Sequence, residues 1–280
     1  MRSSGTAYYL YCLTPGACGI PASAIGVDGK QGVMVRACGG IGMVFSPAEL
    51  EEFCGESADA HLQDLAWLGP RVCRHEAVIE EISDRLPVLP ARFATLFDSL
   101  DSLQRFVLEH RDAIAGFFTR LGDRREWAVK GLLDRGRALA GPGSPGRPAA
   151  DERAPAASPG ARAPAASPGA RYFEEKRIQA QWERDFNLRL KNFCRRAAAA
   201  LAEHAGSFRE RKVLAPVEAE TGAEIVLNWA FLVSPPALDE FRGCLARLNE
   251  GEAFPGLLLT ATGPWPPYSF VPDLSVGVAA

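Results

Sequence analysis

The sequence contains no run of apolar residues approaching the ~20 needed to span a bilayer, so no segment reads as a membrane helix. It also lacks an excess of basic residues: 31 Lys and Arg against 34 Asp and Glu leave a net charge of −3. A nucleic-acid binder usually carries a basic footprint, and none is present. No Walker loop, G-x-G-x-x-G or H-E-x-x-H occurs, and no serine or cysteine nucleophile motif lies near His61, His110 or His204. The seven cysteines form no Cys-x-x-Cys pair, which argues against zinc ribbons and thioredoxin chemistry and leaves them as small buried hydrophobes in a reducing compartment. Cys73-x-His75 offers two metal ligands without a second pair at ligand spacing, and a lone histidine on an apolar helix face reads as core. Met1 to Thr6 lead directly into a strand-like run and do not resemble a secretory signal.

What is present is the composition of a folded protein, 47% hydrophobic and 23% charged over 280 residues, enough for two modest cores. One segment departs from it. Between Gly141 and Arg171 there is no aromatic or β-branched residue, and the nonapeptide APAASPGAR stands twice in tandem, at 154–162 and 163–171. Such a stretch cannot bury enough surface to offset the entropy of ordering, so it is expected to be a disordered insert. As a coil it would span about 30 Å root-mean-square.

Hydrophobic periodicity places strands at 6–14, 32–38 and 41–46, with Gly39-Gly40 as a hairpin turn between the last two. Ser46-Pro47 reads as a helix start, Gly69-Pro70 as a break, and 70–85 as a second helical stretch. A strand at 88–97 precedes a helix at 99–121 capped by Asp98. The second half gives a strand at 126–133, a long helix at 172–208, strands at 211–219 and 224–233 around Thr221-Gly222, a helix from Pro236 to Asn249, and a strand at 256–262. That is β-α-β-β-α-β, the ferredoxin-like order, and the first half reads as a modified copy. The expected fold is therefore α+β with two ferredoxin-like domains, 1–124 and 125–280, the second carrying the long helix and the insert.

The most distinctive stretch is Gly263-Pro-Trp-Pro-Pro-Tyr-Ser-Phe270. Gly263 and Pro264 are expected to stop the strand ladder, and Pro266 and Pro267 to hold Trp265 and Tyr268 extended. This segment resembles the close of the GvpF/GvpL family of gas vesicle accessory proteins. Leu89-Pro-Ala-Arg-Phe-Ala-Thr-Leu-Phe97 is similar to an LPxRFGT-like strand of that family, Glu126-Trp-Ala-Val-Lys130 to its E-W-x-V-K strand, and Tyr8-Tyr-Leu-Tyr11 to its aromatic first strand. Ala94 stands where the family pattern favours glycine. The resemblance spans nearly the whole chain outside the insert. It implies a non-enzymatic accessory protein, without a cofactor, located at the gas vesicle in the cytoplasm. Its partners would be the apolar shell subunit and other accessory proteins.

Several residues admit two readings. Trp265, Tyr268 and Phe270 either cover the end of a core or present aromatics to a partner. Arg92, between apolar neighbours, needs an edge or an acidic or carbonyl partner. Trp182 belongs to the apolar stripe of a highly charged helix, facing its own core or a partner. Two other functional classes are open: a small-molecule-binding protein or enzyme on the same fold, and an RRM-type nucleic-acid module.

Overall fold

The first strand is apolar on both faces because it runs through the middle of a sheet covered on both sides. In the computed structural model, which describes residues 5–19, 24–54, 56–139, 168–213, 223–250 and 254–274, β1 (Thr6–Thr14) is followed by β2 (Met34–Cys38) and β3 (Ile41–Glu49). Gly39 and Gly40 turn the β2–β3 hairpin with φ of 58° and 84°, left-handed values that glycine adopts freely. Helices α1 (Leu50–Phe53), α2 (Glu56–Gln63) and α3 (Leu65–Ser83) follow. The short strands β4 (Leu89–Pro90) and β5 (Leu96–Phe97) then pair with β1, before α4 (Leu100–Glu109) and α5 (Arg111–Leu121). The sheet order is β2-β3-β1-β4, with β5 also on β1.

One face of this sheet, with Tyr9, Tyr11 and Val44, packs on Val78, Ile79 and Ile82 of α3. The other face, with Leu10, Leu13 and Phe45, packs on α4 and α5 through Leu103, Val107, Ile114 and Phe117. A register shift between Leu10 and Cys12 reassigns the faces midway along β1.

The second half contains β6 (Arg125–Leu133), α6 (Arg135–Leu139), α7 (Pro168–Ala202), β7 (Ser207–Glu210), β8 (Glu224–Val233), α8 (Leu238–Glu250) and β9 (Leu257–Trp265). Its sheet order is β7-β8-β6-β9, all antiparallel. Trp127, Val129, Trp229 and Phe231 on one face bury against Phe193, Ala197 and Leu201 of α7 and Phe241 of α8. From the other face Ala230 and Leu232 join the core built on α4 and α5, so apolar packing is continuous between the halves.

Several boundaries differ from expectation. Ser46-Pro47 does not start a helix: β3 continues to Glu49, with Pro47 opposite Tyr8. Among the described residues β2 pairs with β3 only as far as Phe45, so on that side the missing N–H of Pro47 is tolerated. Pro70 lies inside α3, which begins at Leu65 with Asp64 accepting from the Ala66 N–H at 2.9 Å. The expected strand at 88–97 is divided by a turn. The helix at 99–121 is two helices meeting at His110, and Ser99 is its cap, in a reciprocal box with Ser102. Asp98 accepts from both serine hydroxyls. The helix α7 ends at Ala202 and β7 starts at Ser207, four residues ahead of the expected strand.

Residues 140–167 and 214–222, which hold most of the proposed insert and the Thr221-Gly222 turn, lie outside the described residues. The last part of the second nonapeptide, from Pro168, belongs to α7, with proline at a helix start as its fixed φ favours. Among the described residues no helix separates β1 from β2, so the first half departs from β-α-β-β-α-β order.

Candidate functional site

The aromatic-proline segment is built on the register between β6 and β9. Trp265 pairs opposite Glu126, and Thr262 opposite Ala128, with a shift between them. The ladder therefore does not stop at Gly263-Pro264; it bulges there and resumes at Trp265. Gly263 (φ 143°) is required at the bulge, because a Cβ would stand 2.9 Å from the Glu126 carbonyl oxygen and 3.2 Å from the Trp127 ring.

Beyond Trp265 the chain turns, rather than staying extended. Tyr268 donates its N–H to the Pro266 carbonyl at 2.8 Å, a γ-type contact, and Phe270 donates to that of Pro267 at 3.1 Å, closing a single 3-10 turn over Tyr268–Phe270. The turn sends Tyr268 against the Tyr9–Tyr11–Ile79 core and Phe270 into the core of α4 and α5. One short strap thus ties both cores of the first half to the last strand of the second.

Two acids hold the strap. The Glu126 carboxylate, 2% exposed, accepts from the Ser269 N–H at 2.8 Å and from its hydroxyl at 2.6 Å. Burial raises the pKa of Glu126; the Ser269 bonds and the Arg211 guanidinium, 3.9 Å away, act in the opposite sense. Glu76 of α3 accepts from the Tyr268 hydroxyl at 2.8 Å. Its pKa is also raised by partial burial, and the phenol of Tyr268 is pushed strongly upward by burial and by the carboxylate beside it. A third link runs from Arg125, at the start of β6, to the Ser83 hydroxyl at 2.9 Å.

Beneath the strap the first core contains a polar chain. The Tyr9 hydroxyl accepts from the Ala94 N–H at 3.1 Å and shares a hydrogen bond with His75 Nδ1 at 3.0 Å. The Tyr11 hydroxyl accepts from the Val27 N–H and meets Ser46 Oγ at 2.8 Å, with burial raising its pKa to about 12. Burial lowers the His75 pKa to about 4, which keeps the ring neutral at ordinary pH. His75 is thus core, as its sequence position suggested. Cys73, two residues earlier and exposed, faces away from it, so the two do not converge. Cys54 is exposed as well, so only some of the cysteines act as buried hydrophobes.

The sequence-derived candidates separate into three places. Trp265 is 43% exposed, its indole donating to Thr262 Oγ1 at 3.3 Å. Tyr268 and Phe270 are internal anchors. Arg92, in the turn between β4 and β5, is exposed and makes no ion pair among the described residues; it lines a cleft of about 750 Å³ together with Tyr268 and Ser269. Trp182 stands apart, stacked on Phe186 at 5.1 Å with Phe186 against Phe254. Sequence reasoning missed Glu126 and Glu76 as anchors. The available signal for Glu126 was an acid beside Trp127-Ala128-Val129 in a strand, which must find donors once buried; Glu76, on a charged helix, carried none. Among the described residues no cluster of three or more His, Cys, Asp or Glu could hold a metal ion. Among them, too, no helix is long and apolar enough to cross a membrane.

These features coincide with a known family. The family model described as gas vesicle synthesis protein GvpL/GvpF matches residues 7–272, and the chain belongs to that family. Gas vesicle protein L of Streptomyces sp. (strain CB03234) is similar, 29% identical over 94% of this chain and 91% of its own length. The fold is also similar to the crystal structure of GvpF from Anabaena sp. PCC7120, with TM-score 0.64 and 18% identity over 96% of this chain and 99% of that one. GvpF from Microcystis aeruginosa gives a TM-score of 0.60 and 17% identity over 95% and 99%. The architecture shared with them is a mixed α/β fold with antiparallel sheets.

Proposed function

We propose that this protein is a non-enzymatic accessory factor for gas vesicle assembly. It would bind the apolar shell subunit, other accessory proteins, or both, and so keep them soluble or nucleate the shell. A shell subunit with a gas-facing apolar surface would aggregate before assembly, and a soluble partner that covers it meets that need. The observation that carries the reading is the family match over nearly the whole chain, joined to an exposed Trp265 on a strap fixed at both sides. A rigid, half-exposed aromatic is the kind of residue that anchors an interface at small entropic cost. Tyr268 and Phe270 set its position, while Arg92 contributes the rim of the adjacent cleft. Trp182 would serve a separate contact along α7.

The architecture is read as two ferredoxin-like units, 1–124 and 125–280. The second follows β-α-β-β-α-β order with sheet order β7-β8-β6-β9, and the first keeps the same pattern of strand neighbours with no helix between its first two strands among the described residues. The proposed location is the gas vesicle and the surrounding cytoplasm, without nucleic-acid or membrane partners. Co-expression of the tagged protein with the shell subunit tests the role. Recovery of a soluble complex, weakened by Trp265→Ala, supports it. Loss of shell subunit to the pellet regardless of this protein would overturn it.

A further inference from the structure

Where the two halves meet, the strap divides one seam into two neighbouring clefts. The larger, about 750 Å³, has an apolar floor whose accessible part is the half-buried Val271 and Leu274, with Leu13, Leu89 and Phe106 buried in the core beneath. The smaller, about 400 Å³, is lined by Phe117, Leu121, Leu232 and Phe270. Both include Arg209 and Pro272, where the two clefts adjoin. Arg92 lines the first and Arg120 the second. All three arginines are exposed, and none forms an ion pair among the described residues. The guanidinium of Arg209 lies 5.7 Å from the centroid of the Phe270 ring, which holds it at the crossing between the clefts. Asp273 is the single carboxylate in the two linings.

This balance runs against the rest of the molecule. The chain carries net charge −3, yet the groove presents three cations to one anion above an apolar floor. Guanidinium groups recognise carboxylates in forked pairs, and the floor rewards apolar side chains lying between them. We infer that the seam groove takes an acidic, amphipathic peptide segment of a partner protein, its carboxylates on Arg92, Arg120 and Arg209 and its apolar side chains against Val271 and Leu274. The inference rests on the accessory-protein reading only for the occupant's being a protein, and it adds the recognition chemistry.

The test uses a short fluorescent peptide alternating glutamate with leucine, titrated with the full-length protein and followed by anisotropy. The expected result is saturable binding that salt weakens, because exposed ion pairs are screened. The double reversal Arg92→Glu with Arg209→Glu should weaken binding about tenfold or more. Arg189→Glu, on the exposed side of α7, should leave it within about twofold. Equal binding of a glutamine–leucine peptide would overturn the inference, as would unchanged affinity in the double reversal. Two further results would do so by assigning another occupant. One is binding of phosphatidylglycerol vesicles, in place of the peptide, that the double reversal abolishes. The other is concentration-dependent self-association abolished by the same substitutions. Vesicle formation in cells, measured on the same variants, reports separately on the accessory role.

Discussion

The Glu126–Ser269 contact makes a prediction in which charge and hydrogen bonding can be told apart. Glu126→Ala removes both acceptors and leaves the Ser269 N–H and hydroxyl facing a hole. A hydrogen bond to a charged group contributes ~1.5–3 kcal/mol, and two are lost. Against this stands the burial of the carboxylate, the same cost that raises its pKa. The net loss of folding stability should be about 3 kcal/mol. Glu126→Gln behaves differently. Its amide oxygen can accept the Ser269 N–H while its amide nitrogen donates to the hydroxyl, so both contacts survive without a buried charge. The cost should be below about 1 kcal/mol at neutral pH.

The linkage has a definite sign. A carboxyl whose folded pKa is raised contributes stability that is fully present below the ordinary value of 4.5 and is lost as pH rises through the folded value. Glutamine cannot titrate, so that part of the pH dependence disappears in Glu126→Gln. Urea unfolding monitored by tryptophan fluorescence, repeated across the acid range, reads all three proteins. A glutamine variant as damaged as the alanine variant would refute the reasoning. It would mean that the charge, with Arg211 as its counterpart, holds the strap instead of the paired hydrogen bonds.

Three further predictions follow from other sites. The folded His75 pKa of about 4 lies below the ordinary 6.5, so stability is present above 6.5 and falls as pH drops toward 4. The total loss is about 3 kcal/mol, and urea unfolding of His75→Gln should show that acid slope flattened. Ala94→Gly should stabilise the fold by about 0.5–1 kcal/mol, because Ala94 holds φ of 63° in the turn between β4 and β5; a measured destabilisation would contradict it. Trp265→Ala should cost about 1–3 kcal/mol of folding stability, since about half of the ring is buried, and should reduce recovery of vesicle proteins in complex beyond what that loss explains.

How much of this was legible in the sequence depended on whether a signal was local. Alternation and apolar runs placed β1, β6, β8 and the helices near their observed positions, because those elements bury a face defined by their own residues. Proline misled repeatedly: Pro47 reads as a helix start, Pro70 as a helix break and Pro264 as the end of a ladder, yet each lies within its element. Pro47 and Pro264 break a ladder only where an N–H is needed, and whether one is needed depends on the neighbouring strand. Ala94 looked like a departure from a glycine pattern, and the structure supplies the physical reason for that pattern: a left-handed backbone whose N–H meets Tyr9. The aromatic-proline segment was singled out correctly, yet its residues divide into an exposed tryptophan and two internal anchors. That division is set by Glu126 and Glu76, which stand 143 and 192 residues away from the serine and tyrosine they hold. No local pattern records such a separation.

The central claim, that this chain serves gas vesicle assembly through the strap, is tested most directly by complementation. In cells producing vesicles from a complete set of gas vesicle genes, the gene for this chain is removed and replaced by the parent or by Trp265→Ala at matched soluble levels. Pressure-collapsible light scattering then measures vesicle content. The account expects scattering to vanish on removal, return with the parent, and return only in part with Trp265→Ala. Full scattering without the chain would contradict the accessory role, and full rescue by folded Trp265→Ala would contradict the part assigned to the strap.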